Sequence, residues 1–196
     1  MKPVKTILSN AIILISLIFL VVACNDNTIP KPRGFFRIDT PKRAYKVLDS
    51  IYPYVFEYPV YSVITSDPNA PDEPNWINID YKGFKGKLHI SYKVVNNNLD
   101  VFTEDAHSMV MKHIPKASAI QEVRIDNDKN NVHGIIYDIE GTGAASPYQF
   151  FVTDSTKHFM RGALYFSALP NNDSLAPVIT FLKEDINHML ETLRWK

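Results

Sequence analysis

The sequence is poor in cysteine, because Cys24 is its one cysteine. A chain with a single cysteine has no internal disulfide, so in an oxidising compartment it depends on its hydrophobic core for stability. The material for a core is present, since 45% of the residues are hydrophobic and 12% are aromatic. This composition excludes a mostly disordered protein.

The sequence also lacks an excess of either charge, with 21 basic and 21 acidic residues. Removal of an N-terminal segment that contains Lys2 and Lys5 would leave a net charge of about −2. This balance provides no basic surface for nucleic acid or for an anionic membrane. Internal repeats and low-complexity tracts are absent as well, and 196 residues suit one globular domain with an N-terminal tether.

The first 24 residues have the pattern of an exported lipoprotein. Lys2 and Lys5 precede an apolar run at residues 11–23, which is broken only by Ser16 and is typical of a secretory signal peptide. This run is shorter than the roughly 20 residues that a membrane-spanning helix needs. It ends in Val21-Val22-Ala23-Cys24, which resembles the bacterial lipobox.

Ala23 and Cys24 are the residue types that lipoprotein processing needs. A small residue at Ala23 lets the signal peptidase reach the bond, and only the Cys24 thiol can accept a thioether-linked lipid. We expect cleavage before Cys24 and a covalent lipid on it, consisting of a diacylglycerol and an N-acyl chain. The alternatives are an ordinary signal peptide with an unrelated cysteine, or an uncleaved anchor helix.

These patterns predict a signal peptide at residues 1–23, an extended Pro-containing tether at 24–44 and one globular domain at 45–196. Three prolines bias the tether towards extended conformations. Within it, Gly34-Phe35-Phe36-Arg37-Ile38 carries more apolar surface than a spacer needs. This segment either packs on the domain as a strand or is exposed for a partner.

Alternating and β-branched or aromatic residues predict strands in the domain. The predicted strands are residues 54–58, 76–81, 87–92, 120–125, 132–139, 147–153 and 158–167. The second and third form an antiparallel hairpin with one buried face, and short turn-rich segments indicate that the last four form a meander. Two segments have helical periodicity, 99–113 and a second that begins at residues 172–174. The predicted fold is α+β, an antiparallel β-sheet flanked by two main helices.

The sequence contains no recognisable catalytic or metal-binding constellation. His107 and His113 are six residues apart, whereas two imidazoles on one helix share a metal at a spacing of four. We interpret His113 as a core histidine. Asp154, Ser155 and His158 have the residue types of an acid, a nucleophile and a base, but Ser155 falls in a predicted turn.

Other polar features have structural interpretations. The pairs Glu104-Asp105 and Glu184-Asp185 fit solvated helix faces. The segment Gly141-Thr142-Gly143 lacks the lysine of a phosphate-binding loop and fits a hairpin connection. The sequence therefore predicts no catalytic residue, no metal and no cofactor other than the lipid on Cys24.

The last two predicted strands contain more aromatic residues than one face of a sheet can bury. These residues are Tyr148, Phe150, Phe151, Phe159, Tyr165 and Phe166. Either both faces of the sheet are covered, or an aromatic surface remains exposed for a partner.

Six segments carry a family resemblance. They are PKPRGFFRID at 30–39, YVFEYP at 54–59, WINID at 76–80, ASPYQFF at 145–151, the turn and strand at 154–166 and ETLRWK at 191–196. Together with the lipobox-like sequence, they resemble the gliding motility lipoprotein GldD family of the Bacteroidota. The resemblance implies a component of the gliding machinery, which overlaps with the type IX secretion system, and it assigns a role to Cys24 alone. The order of strands and helices also resembles the PsbP-like α/β/α sandwich.

From this resemblance we expect a non-catalytic, lipid-anchored protein that supports gliding and the assembly or function of type IX secretion. Its expected partners are other envelope proteins of these machineries and, through the lipid, the membrane, but not nucleic acid. Asn25-Asp26-Asn27 lacks the dense acidic run of a surface-export signal, so we expect the domain to face the periplasm, from the outer rather than the inner membrane. The alternatives are a periplasmic small-ligand-binding module and a hydrolase with an unrecognised site.

Overall fold

The computed structural model describes residues 38–167 and 171–196. The strands are β1 (Tyr45–Leu48), β2 (Tyr54–Pro59), β3 (Val63–Ser66), β4 (Ile77–Tyr81), β5 (Gly86–Val94), β6 (Ala119–Asn127), β7 (Val132–Glu140), β8 (Tyr148–Thr153), β9 (His158–Phe166) and β10 (Arg194–Trp195). The helices are α1 (Leu99–Met111) and α2 (Asn172–Thr192), and a 3-10 turn (Lys82–Phe84) precedes β5. No helix within this part of the chain is long and apolar enough to cross a membrane.

Seven strands form one antiparallel sheet in the order β3-β4-β5-β9-β8-β7-β6, while β1, β2 and β10 form a small second sheet. The predicted hairpin is confirmed as β4 and β5, with Ile79 opposite Leu88. The predicted meander is confirmed as β6 to β9, in which each strand pairs with the next. The structure therefore confirms an α+β fold with an antiparallel sheet and two main helices.

The large sheet is covered by a different layer on each face. On one face, here the α2 face, Phe150 and Val152 of β8 lie in one apolar cluster with Leu182 and Ile186 of α2 and with Phe56 of the small sheet. α2 and the small sheet together form the layer on this face, and they cover most strands of the large sheet because α2 has 21 residues and the small sheet lies beside it.

On the opposite face, here the α1 face, Ala106 and Val110 of α1 lie in a second cluster with Tyr137, Phe151 and Phe159. The two clusters show how the aromatic residues of the last two long strands are distributed between the faces of the sheet. Tyr148, Phe150 and Phe166 lie on the α2 face and Phe151 and Phe159 on the α1 face, since alternate residues of a strand point to opposite sides, while Tyr165 is half-buried outside both clusters.

Strands β1, β3 and β10 were not predicted from the sequence. They have four, four and two residues, which is too short for a period-two pattern to be recognised. They form because longer neighbours offer them edges. In β10, Arg194 and Trp195 pair with Val55 and Tyr54 of β2, and the Trp195 indole donates a hydrogen bond to the Asn131 carbonyl oxygen at 3.0 Å.

Gly134 of β7 lies opposite Val152 of the neighbouring strand β8, and the lack of space for a side chain at Gly134 gives a testable prediction. A Cβ atom at Gly134 would lie 1.9 Å from the Phe151 carbonyl oxygen, so Gly134→Ala forces the two strands apart. We expect a loss of about 2–3 kcal/mol in the free energy of unfolding, measured by urea denaturation. The control is Gly83→Ala, where a Cβ atom meets nothing within 4 Å and we expect a change of about 0.5 kcal/mol or less. Equal losses in the two variants would contradict this account of Gly134.

Candidate functional site

The residues that the sequence connects most directly with function lie outside the described residues. They are the processing site at Ala23 and Cys24 and the proposed partner segment Gly34, Phe35, Phe36 and Arg37. Both remain predictions. The other candidate residues lie in the folded domain, within residues 38–167 and 171–196.

The candidate acid and nucleophile, Asp154 and Ser155, form the turn between β8 and β9. The Asp154 carboxylate accepts hydrogen bonds from the backbone N–H groups of Thr156, Lys157 and His158 at 2.8–3.0 Å. Partial burial alone would raise the pKa of Asp154, but these hydrogen bonds outweigh burial and lower it to about 2. Ser155 has a φ of 67°, a left-handed turn conformation. Asp154 thus stabilises a turn, and Ser155 is a turn residue, as predicted.

His158 is also used by the fold. Its Nδ1 lies 2.8 Å from the Tyr92 hydroxyl, and its ring stacks on Trp195 with 5.0 Å between centroids. Burial lowers the pKa of His158. The side chain therefore holds β5, β9 and the C-terminal strand together and does not face Ser155 as a base.

The other sequence candidates are also separated from each other. His107 is exposed on α1. His113 lies just beyond the end of the helix and is half-buried, so the prediction of a core histidine is confirmed only in part.

The glycine-rich loop is held by a side chain of α2. The Asn172 amide donates to the carbonyl oxygens of Gly141 and Ala144 at 2.8 and 3.0 Å. In the described part of the chain, no group of three His, Cys, Asp or Glu residues is placed to hold a metal ion.

Asp185 corrects the prediction of a solvated acidic pair on α2. Glu184 is exposed, but Asp185 is fully buried. Its carboxylate accepts hydrogen bonds from the hydroxyls of Tyr45, at 3.0 Å, and Tyr61, and it lies 3.5 Å from Nε of Arg43. Burial raises the pKa of Asp185, and these three donors oppose the increase. Asp185 thus fastens the segment around β1 to α2.

A cluster of polar side chains lies on the α1 face beside the apolar cluster of α1. We call Asn78, His89, Gln149, Arg161 and Tyr165 the Arg161 cluster. The strand register explains why they meet. In this register one row of paired residues crosses four neighbouring strands. The row consists of Asn78 of β4, His89 of β5, Ala163 of β9 and Gln149 of β8. Ala163 is small, so Arg161 and Tyr165, two residues to either side of it on the same face, have room to meet above it.

Some hydrogen-bonding groups of this cluster are buried and unsatisfied. Arg161 Nη2 donates to Gln149 Oε1 at 2.5 Å, but Gln149 Nε2 has no partner. The Asn78 amide nitrogen and oxygen also lack partners, although both Asn78 and Gln149 are only 1% exposed. A buried polar group without a hydrogen bond costs about 1–3 kcal/mol. In folded proteins nearly all such groups are paired with protein atoms or with ordered water.

The Arg161 cluster contains a guanidinium, that of Arg161, next to neutral polar groups. Burial lowers the pKa of Arg161, while the neighbouring Tyr165 hydroxyl opposes the change, and a guanidinium stays charged under such conditions. Burial also lowers the pKa of His89 in the same cluster, and the carboxylates of Asp67 and Asp80 oppose that change. Burial lowers the pKa of His113 as well, and the charge of Arg161 lowers it further. The arrangement therefore favours a negatively charged neighbour.

The edge strand β6 is a second exposed feature. Between its α2 face and α2 lies a groove of about 690 Å³, lined by Val123 and Ile125 of β6 and by Asn187 and Leu190 of α2, among others. On its α1 face lies a groove of about 570 Å³. Val123, in the middle of the strand, is 51% exposed. Both sides of β6 are therefore accessible to a partner.

The sequence contained a weak signal for the Arg161 cluster. Gln149 and Arg161 interrupt apolar runs of two strands, which marks them as residues that face a partly polar layer. Their meeting depends on the strand order, in which β9 lies between β5 and β8. That order joins strands far apart in the sequence, so the cluster was missed.

Comparison with known proteins identifies one family. The family model described as "Gliding motility lipoprotein GldD" matches residues 25–195. No curated protein matches the chain. Among solved structures, the solution structure of cyanobacterial PsbP (CyanoP) from Synechocystis sp. PCC 6803 is similar, with a TM-score of 0.48 and 10% sequence identity. The alignment covers 85% of the present chain and 99% of the PsbP chain.

The turn function of Asp154 predicts a specific pH dependence. The folded-state pKa of about 2 lies below the ordinary value of 3.8, so the carboxylate contributes its full stability above about pH 4 and loses it as the pH falls towards 2. We expect wild type to lose more stability than Asp154→Ala over this range in urea unfolding curves. Asp128→Ala, at a side chain that is 95% exposed, is the control and should follow wild type. Parallel losses in wild type and Asp154→Ala would contradict the prediction.

Proposed function

Because this chain belongs to the gliding motility lipoprotein GldD family, we propose that it is a non-catalytic, lipid-anchored component of the gliding motility machinery. The observation that carries this proposal is the family match over residues 25–195. We propose further that the protein supports the assembly or function of the associated type IX secretion system. Its partners are then other envelope proteins of these two machineries.

The anchor in this proposal is the lipid on Cys24. Cleavage after Ala23 places Cys24 at the new N-terminus, where it carries the diacylglycerol and an N-acyl chain. Each buried methylene contributes about 0.8 kcal/mol, so several chains hold the protein firmly where one would not. The domain faces the periplasm, from the outer rather than the inner membrane. We propose that Gly34, Phe35, Phe36 and Arg37, which lie between Cys24 and the domain in the sequence, contact a partner close to the membrane.

The contacts of the catalytic candidates support the non-catalytic part of this proposal. Asp154 accepts three backbone N–H groups, and His158 contacts Tyr92 and Trp195. An acid or base for catalysis needs a free position beside a substrate. These side chains instead use their polar atoms to hold strands and turns.

Binding of a small anion is a second candidate function, and the Arg161 cluster favours it. The guanidinium of Arg161 and the free Nε2 of Gln149 are neighbouring donors, because Gln149 Oε1 already accepts from Arg161. A carboxylate or a phosphate offers the acceptors and the charge that this pair lacks. In this function the domain is a periplasmic ligand-binding module that uses the polar part of its α1 face.

Replacement of Cys24 tests the main proposal. In cells that lack the chromosomal gene, we expect the wild-type gene to restore spreading and protein export, and the product to incorporate radioactive palmitate. We expect Cys24→Ala to lose the label and to restore neither process, because the domain leaves the membrane. Palmitate labelling of Cys24→Ala would disprove the lipid site. Normal spreading and export in the deletion strain would disprove the assignment to these processes.

Replacement of Arg161 tests the second candidate. Acetate and inorganic phosphate are titrated separately into the protein, and the side-chain amide resonances of Gln149 and Asn78 are followed by NMR. We expect the Gln149 resonances to shift in wild type and to stay fixed in Arg161→Gln. The control, Arg124→Gln, changes a side chain that is 81% exposed and should respond like wild type. Absence of a shift with both anions would disprove this function.

A further inference from the structure

Strand β6 ends the large sheet with a long free edge. All nine of its residues pair with β7, from Ala119 opposite Glu140 to Asn127 opposite Val132. In the described part of the chain no strand lies on its other side. Alternate residues of an antiparallel strand direct their N–H and C=O groups to opposite edges, so a row of backbone donors and acceptors points outwards.

Charged side chains are one of the features that protect free edges from pairing, and β6 carries Glu122, Arg124 and Asp126. It lacks the other common features, because protected edges are also short, kinked by a bulge or interrupted by proline. The opposite edge strand, β3, has only four residues. β6 instead has nine residues without proline, its register with β7 is continuous, and its central residue Val123 is half-exposed.

The charges on β6 are arranged so that the strand complements itself. Glu122 and Arg124 flank Val123 and lie on the same face of the strand. If a second β6 runs antiparallel with Val123 opposite Val123, Glu122 lies opposite the partner's Arg124, and Arg124 opposite the partner's Glu122. We propose that two copies of the chain pair in this way through β6, with a twofold axis at Val123. The two seven-stranded sheets then become one continuous sheet.

The same charges select this register over its neighbours. Residues keep to their faces of the sheet only if the register changes in steps of two. A step in one direction places Glu122 opposite the partner's Glu122, and a step in the other places Arg124 opposite the partner's Arg124. Like charges directly opposite each other destabilise a strand pair. Of these three registers, the one centred on Val123 therefore places opposite charges at Glu122 and Arg124, with Asp126 opposite the partner's Ile120.

The contacts that exist within one chain do not prevent this pairing. Arg124 forms an ion pair with Asp126 at 2.7 Å, but their side chains are 81% and 48% exposed. Such an exposed pair contributes little and can be exchanged. Val123 also lines the groove beside α2, so the partner's Val123 would cover apolar surface that is now exposed.

Cysteine crosslinking of the full-length protein in cells tests the proposal. The paired side chains at the axis bring two Cβ atoms to about 4.5–5.5 Å, close to the separation in a disulfide. We expect Val123→Cys to form a disulfide-linked dimer on mild oxidation. The control is Val101→Cys, on α1, where the side chain is similarly exposed at 53% but lies away from the edge. The lipid occupies Cys24 in the proposed mature protein, so the introduced thiol is the one available.

Charge reversal in the Val123→Cys background tests the register. We expect Glu122→Arg to reduce the crosslinked fraction several-fold, because it places two arginines opposite each other at two positions. The double variant Glu122→Arg/Arg124→Glu restores opposite charges and should restore the crosslink. Three outcomes would overturn the proposal. The first is that Val123→Cys gives no more dimer than Val101→Cys, the second is an adduct with a different protein, and the third is a double variant that does not restore the crosslink.

Discussion

Strand β8 is buried along its whole length, and the layered architecture depends on this burial. All six residues from Tyr148 to Thr153 are inaccessible. Because neighbouring residues point to opposite faces, a strand of this kind needs a covering layer on each side. α2 and the small sheet supply one layer, and α1 supplies the other. Without either layer, large aromatic side chains such as Phe150 or Phe151 would be exposed to water.

The two layers are unequal, and polar side chains lie beside the shorter one. α2 has 21 residues and is helped by the small sheet, whereas α1 has 13 and covers the sheet around Tyr137, Phe151 and Phe159. The Arg161 cluster lies beside this apolar region on the same face. A partly buried cation next to unsatisfied amides is costly for stability alone. The polar part of the α1 face is thus the part of the sheet whose composition is least explained by folding.

Local patterns in the sequence predicted the long elements and missed what depends on distant pairing. The strands from β4 to β9 and both helices show periodicity over five or more residues, so they could be identified. β1 and β10 are too short for a pattern and exist because β2 offers two edges. Asp185 was misinterpreted for a similar reason. Its environment is set by Arg43, Tyr45 and Tyr61, about 120–140 residues earlier in the chain, and not by its own helix.

The pairing of β10 with β2 determines when the fold can be completed. β2 lies between β1 and β10, so one of its edges has no partner until residues 194 and 195 are present. Leu193 is fully buried in the core below α2, and Trp195 stacks on His158. A chain that emerges from the ribosome or crosses a membrane N-terminus first delivers these residues after all the other strands. The small sheet and this part of the core can therefore be completed only after every other strand has been delivered.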